Sequence, residues 1–274
     1  MKTINKIVLL FAVFVPILSA MAAPAKRIIA LSPQSVEMLY AIGAGGSILA
    51  TTDYADFPKS ALDIPRIGGY YGIQIERVLE LDPDLVVVWG GGSKAEDIRR
   101  LKDLGFNVYN SDPKTLEAVA DELKMLGELT GRQAEANKVA DDYLYELNVL
   151  RKNNLAKSEV RVFYQLWSTP LMTVAKNSWV QQIIGVCHGE NVYFDAVSDY
   201  PQVSLESVLL KKPEVILQSQ DKGNVLGVDW SKWPQIPAVK NQHIYQLNAD
   251  LLYRAAPRAL QGVQTLCDAL DKAR

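Results

Sequence analysis

The sequence predicts a two-lobed α/β protein, and three observations carry that prediction. The stretch YYGIQIERVLELDPDLVV, Tyr70 to Val87, registers without a gap on YPQVSLESVLLKKPEVIL, Tyr200 to Leu217. A repeat at this distance, which places Glu76 on Glu206, is far longer than the roughly 20–50 residues of a solenoid unit, so it marks two similar lobes. Each copy reads as a short amphipathic helix, a turn holding Pro83 or Pro213, and an apolar β-branched run suited to a buried parallel strand. Finally, Gln133 to Asn154 contains no Gly or Pro and spaces Ala136, Val139, Ala140, Tyr143, Leu147 and Leu150 as one helical face. At 1.5 Å per residue that helix runs roughly 30 Å, enough to join the lobes and to restrict their hinge motion.

The remaining elements follow in order. Arg27 to Leu31 is an inner strand, and Ser32-Pro33 caps and opens a helix with Val36, Leu39 and Tyr40 on one face, ending at Gly43. Ile48 to Thr52 is a second strand, followed by the loop Asp53 to Pro58. After the first repeat copy comes the strand Leu85 to Trp89, then Gly90-Gly91-Gly92. A helix over Lys94 to Leu104, a strand over Asn107 to Tyr109 and a helix over Leu116 to Gly127 complete the lobe. The second lobe restarts with a strand from Arg161 to Leu166 and a helix from Trp179 to Gly185. It continues through the second repeat copy, a loop holding Trp230 and Trp233, a strand from His243 to Leu247 and a final helix from Leu260 to Lys272.

The beginning of the chain reads as a secretory signal peptide over residues 1–22. Lys2 and Lys6 precede an apolar stretch from Ile7 to Leu18 and a small-x-small cleavage signal, Ala20-Met21-Ala22, which makes the mature chain soluble and exported. Residues 27–130 are then the first lobe, 131–155 the connecting helix and 159–274 the second lobe. A formal net charge of −2, with 22% charged residues, argues against a nucleic-acid binder. The two cysteines, Cys187 and Cys267, suggest a disulfide in an oxidising compartment, with a pair of buried thiols as the alternative. A metal site is disfavoured, because CxxC spacing is absent and the only histidines are His188 and His243.

Aromatic side chains gather at the expected strand-to-helix corners: Tyr54, Phe57, Tyr70, Tyr71 and Trp89 in the first lobe, Trp167 and Tyr200 in the second. In α/β sheets these corners, outside the carboxyl ends of the strands, are where ligands bind. Aromatic faces there suit a large, planar, partly apolar molecule, although any one of them can equally be core. Gly90-Gly91-Gly92-Ser93-Lys94 lacks phosphate-loop spacing; its glycines either let backbone approach a bulky ligand beside Trp89 or form a plain loop. Glu76 and Glu206 either complement the dipoles of their helices or present one carboxylate per lobe to arginine pockets of a two-fold partner. Asp250 to Arg258 places polar groups that either bond ligand amides or pair with one another. No G-x-S-x-G, H-E-x-x-H or spaced Cys/His pair supports an enzyme.

Several of these segments together resemble the periplasmic substrate-binding proteins of the iron–siderophore and cobalamin import class. They are RIIALSP, the Y-x-D-F-P loop at Tyr54 to Pro58, the segment ending at Arg77, DLVVVW at Asp84 to Trp89, VCHGEN at Val186 to Asn191, YPQVSLE at Tyr200 to Glu206, and the run from Asp250 to Arg258. The resemblance covers nearly the whole mature chain. It implies two Rossmann-like lobes joined by a single long helix (the class III periplasmic binding architecture), a cobalamin held between them as transported ligand, and no cofactor. It implies ligand contacts at Tyr54, Tyr70, Trp89, Tyr200, Asp250 and Arg254, to which the aromatic clustering adds Trp167, docking of Glu76 and Glu206 on a membrane-embedded ABC permease with its ATPase subunits, and a disulfide between Cys187 and Cys267. The free protein is then a periplasmic monomer. Tyr70 and Tyr200 replace tryptophans of the cobalamin carriers, and the loop Gln165 to Thr169 departs from their pattern. Haem, a ferric siderophore or another corrinoid is the alternative ligand, and an exported hydrolase the alternative class.

Overall fold

The computed structural model describes residues 23–220 and 228–274; the signal peptide expected over residues 1–22 lies outside the described residues. The first lobe runs β1 (Ile28–Ala30), α1 (Pro33–Ala41), β2 (Ile48–Thr51), a hairpin of β3 (Gly68–Gly69) and β4 (Gly72–Ile73), α2 (Ile75–Leu81), β5 (Leu85–Val88), α3 (Ala95–Asp103), β6 (Val108–Asn110) and α4 (Ala118–Thr130). Its sheet is wholly parallel, in the order β2-β1-β5-β6. After α5 (Gln133–Leu155), the second lobe runs β7 (Val160–Gln165), a hairpin of β8 (Trp167–Ser168) and β9 (Leu171–Met172), α6 (Trp179–Val186), β10 (Gly189–Asn191), α7 (Leu205–Lys211) and β11 (Val215–Gln220). It ends with α8 (Pro237–Lys240), β12 (Ile244–Asn248), α9 (Ala249–Tyr253) and α10 (Ala259–Asp271). Its sheet, β10-β7-β11-β12, is also parallel and has the same relative order as the first. Parallel sheets are covered on both faces, and β5 accordingly buries all of Leu85–Val88.

The sequence repeat is a structural one. Helices α2 and α7 each span seven residues and end on a left-handed residue, Asp82 (φ 42°) or Lys212 (φ 47°), before the shared proline. The next residue then anchors the central strand. The Asp84 carboxylate accepts from the Arg27 amide (3.0 Å) and the Glu214 carboxylate from the Arg161 amide (2.9 Å), while their own amides donate to the carbonyls of Arg27 and Arg161.

Helix α5, 23 residues and therefore about 35 Å long, is the covalent bridge. Its buried face (Ala136, Ala140, Tyr143, Leu147, Leu150) belongs to one apolar cluster that includes Ile28 and Val87 of the first sheet and Val162 and Leu217 of the second. The sequence-based reading lacks the two hairpins and the short helices α8 and α9, the latter on the segment read as the loop before the last helix, and two further features differ from it. Gly189–Asn191 forms a strand despite its low β propensity, because pairing with Val160–Val162 supplies the ladder. Trp230 is core rather than loop: its indole N–H donates to the Gln165 side-chain oxygen (2.8 Å) and its ring meets Phe163 edge-on. No helix among the described residues is long and apolar enough to cross a membrane.

Cys187, at the end of α6, and Cys267, in α10, form a disulfide that closes 80 residues of the second lobe. Replacing both with serine is expected to lower the unfolding free energy by roughly 2–4 kcal/mol in denaturant titration. Glu122 lies buried in α4, and burial, reinforced by the charge of Asp112, raises its carboxyl above the usual range against the opposing hydroxyls of Ser111 and Tyr109. An unfolded Glu ionises near its ordinary value while the folded one still holds its proton, so stability is lost as pH rises through that window. Glu122→Gln should therefore raise the melting temperature at pH 7, and the gain should vanish below about pH 4, where both states are protonated.

Candidate ligand cleft

The carboxyl ends of both sheets open on one cleft. Trp89 directly follows β5, Asp112 closely follows β6, Leu166 directly follows β7, and Tyr253 and Ala255 end the segment after β12. These residues, with Trp179, Asp199 and Tyr200, line a cavity of roughly 500 Å³ between the lobes. A smaller recess of about 180 Å³ lies on the first-lobe side, lined by Tyr54, Tyr70 and Ser32, and Trp89 lines both spaces. Together they fall within the ~300–1,000 Å³ typical of small-molecule sites.

Trp89 is held by its neighbours. Its indole N–H donates to Asp112 (3.2 Å), whose other carboxylate oxygen pairs with Lys114 (2.6 Å). A Cβ on Gly92 would lie 2.2 Å from the Trp89 ring, so this glycine makes room for the indole itself. Gly91 also faces the indole, while a Cβ on Gly90 would meet the Asn110 side chain instead. Tyr70 stands at the tip of the β3–β4 hairpin, 78% exposed and edge-on to Tyr71. The hairpin depends on Gly68, whose φ of 157° and close approach to the Gly72 carbonyl (2.4 Å from a built Cβ) exclude a side chain. A hydrogen bond to Asp53 pushes the Tyr71 phenol up.

Tyr54 adopts a left-handed backbone (φ 64°), unusual for an aromatic residue and a mark of local strain. Its ring is largely exposed, as is that of Tyr200 on the opposite wall. Trp167 lies on the β8–β9 hairpin, bonded to its own loop through the Thr169 carbonyl (3.0 Å), and lines neither recess. Arg254 and Asp250 also lie off the lining. Arg254 is 7% exposed and donates to Glu37 (3.0 Å), Asp56 (2.8 Å), Asp250 (2.6 Å) and the Tyr54 carbonyl (3.1 Å). Asp250 and Arg254 thus pair with each other within the second lobe, one of the two expected outcomes, while Glu37 and Asp56 reach Arg254 from the first lobe. Gln182 makes a second crossing, donating to the Lys114 carbonyl (2.8 Å) and accepting from the Leu116 amide (3.1 Å).

Several cleft residues have no counterpart in the expectations, among them Asp112, Trp179, Asp199 and Tyr253. Tyr253, inside the Asp250–Arg258 segment, carried the only available signal. Its hydroxyl pairs with that of the buried Tyr164 (2.8 Å), and burial raises its pKa. Glu76 and Glu206 lie away from the cleft, both exposed in the first turns of their equivalent helices. Glu76 faces Arg100 at 3.5 Å, while its own backbone N–H and the Ser204 hydroxyl hold Glu206 below the usual carboxylate range. Among the described residues no group of three or more His, Cys, Asp or Glu could hold a metal ion.

Comparison with known proteins agrees with this geometry. The periplasmic binding protein family matches residues 28–251. A vitamin B12-binding protein of Vibrio cholerae is 36% identical over 275 residues, covering 100% of this chain and 99% of its own. One from Vibrio parahaemolyticus is 34% identical over 271 residues, covering 98% of each. The crystal structure of the periplasmic vitamin B12 binding protein of Vibrio cholerae superimposes with a TM-score of 0.84 at 37% identity, covering 91% of this chain and 98% of that one. A periplasmic heme-binding protein of Roseiflexus sp. RS-1 shares the fold, with a TM-score of 0.81 at 22% identity and coverage of 91% and 99%. These relatives are binding proteins rather than enzymes, and this chain belongs to the periplasmic binding protein family.

Proposed function

We propose that this protein is the exported, periplasmic substrate-binding component of an ABC importer, which takes cobalamin into the inter-lobe cleft as a monomer and delivers it to a membrane permease. The observation that carries the reading is an aromatic wall on each side of the cleft, Trp89, Tyr54 and Tyr70 facing Tyr200 and Tyr253, beside cations that are already neutralised: Lys114 by Asp112, Arg254 by three carboxylates. A corrinoid is broad, partly apolar and fringed with neutral amides, so ring faces supply its affinity and polar groups at the rim its orientation. An anionic ferric siderophore would instead call for unpaired cations in the wall. Support also comes from relatives named for vitamin B12 that match this chain along nearly its whole length. Trp167, on its exposed hairpin, is assigned to the rim.

In this reading the permease engages Glu76 and Glu206, one exposed carboxylate per lobe, through arginine pockets whose charge-assisted bonds favour a two-fold arrangement. ATPase subunits on the far side of the membrane complete the importer.

Calorimetric titration with cyanocobalamin should give one-to-one, submicromolar binding. Trp89→Ala or Tyr200→Ala should weaken it roughly 10- to 100-fold by removing a buried ring face. Saturation by haem or a ferric siderophore, with no heat from cyanocobalamin, would overturn the ligand assignment. Joint reversal of Glu76 and Glu206 to arginine should leave cyanocobalamin affinity within about twofold while abolishing stimulation of the permease ATPase, since the rim charges steer docking rather than ligand capture.

A further inference from the structure

Helix α1 buries a glutamate. Glu37 lies among Val36, Met38 and Leu39, with its side chain 3% exposed. A carboxylate at that depth is retained only with matched partners, and both of its partners come from the other lobe. Its Oε1 accepts from Arg254 (3.0 Å) and from Arg258 Nη2 (2.7 Å), and its Oε2 from Arg258 Nε (3.1 Å), so Arg258 grips it with two parallel bonds. The same two arginines hold the loop that forms the cleft wall. Arg254 donates to the carbonyl of Tyr54 and to Asp56, and the Arg258 guanidinium lies 4.1 Å from the centre of the Phe57 ring. Tyr54 is also the residue kept in a left-handed backbone.

We propose that Glu37 is a positioning residue for ligand capture. By seating Arg254 and Arg258 it sets the separation of the lobes and holds Tyr54 against the cleft, so affinity depends on a buried carboxylate that touches no ligand. Arg254 acts in the same strut. Only the binding readout of this proposal rests on the cobalamin assignment; the geometry does not.

The test uses Glu37→Gln, which preserves shape and one acceptor while removing the charge. Spin labels at Lys102→Cys and Lys240→Cys, exposed sites on opposite lobes, report the inter-lobe distance without ligand. In Glu37→Gln the ligand-free distribution should broaden or shift by more than about 2 Å. Cyanocobalamin should dissociate about tenfold faster with association changed less than about threefold, and Glu37→Asp should restore part of both. A lowered melting temperature with an unchanged distance distribution and unchanged dissociation would reduce Glu37 to a stability element and overturn the proposal. Should Glu37→Gln fail to fold, Arg258→Met, which leaves Arg254 its other carboxylates, must reproduce a smaller shift; an unchanged distribution there also overturns it. If the unaltered protein ignores cyanocobalamin, the distance measurement still decides.

Discussion

A guanidinium removed from water must be surrounded by acceptors, and for Arg254 most of those acceptors belong to the opposite lobe. Removing Glu37 would leave Arg254 only the two part-exposed carboxylates, Asp56 and Asp250, and would strip Arg258 of the carboxylate it grips. The spacing of the lobes at this edge of the cleft is therefore not free to vary while the cluster persists. Helix α5 and the Gln182 crossing add two further ties, so three independent connections frame one opening. A binding cleft built this way is largely formed before its ligand arrives, which spares the ordering cost that a loosely hinged cleft would incur on binding.

Within that frame, the chemistry of the walls follows from strand direction. Parallel strands deliver every carboxyl end to the same edge, and two lobes with the same strand order bring two such edges face to face. The side chains reaching the opening are the first residues after the strands, where backbone leaves the ladder and turns sharply. Trp89 shows what this demands: an indole at that corner needs a carboxylate to orient it and a neighbour without a side chain to make space.

What was legible in the sequence is what local chemistry dictates. The repeat of helix, proline turn and buried strand appears twice, and each part is set by residues within a few positions of one another; the left-handed caps and the carboxylates that anchor the strands emerge only in the structure. The long helix was legible from its uninterrupted apolar face, whereas its role as connector was not separable from that of a lobe-surface helix until both lobes were seen packed on it. The strand at Gly189–Asn191 was not, since only its pairing with β7 makes those residues extended. Nor was the state of Arg254. Its composition and neighbours suit a wet loop, and the glutamate that buries it lies 217 positions earlier in the chain. Similarly, nothing near Trp179 or Asp199 distinguishes a cleft residue from a surface one until α6 is placed against the loop at Lys114.

The bond between Cys187 and Cys267 has a consequence beyond the energy of holding two helices together. It turns most of the second lobe into a covalent ring that contains α7, β11 and β12. A single peptide cleavage at any point between the two cysteines yields two fragments that remain attached through sulfur. The central strand β11 and helix α7 before it would then stay tethered to the body of the lobe. A nick on the surface of this lobe therefore need not mean loss of the molecule.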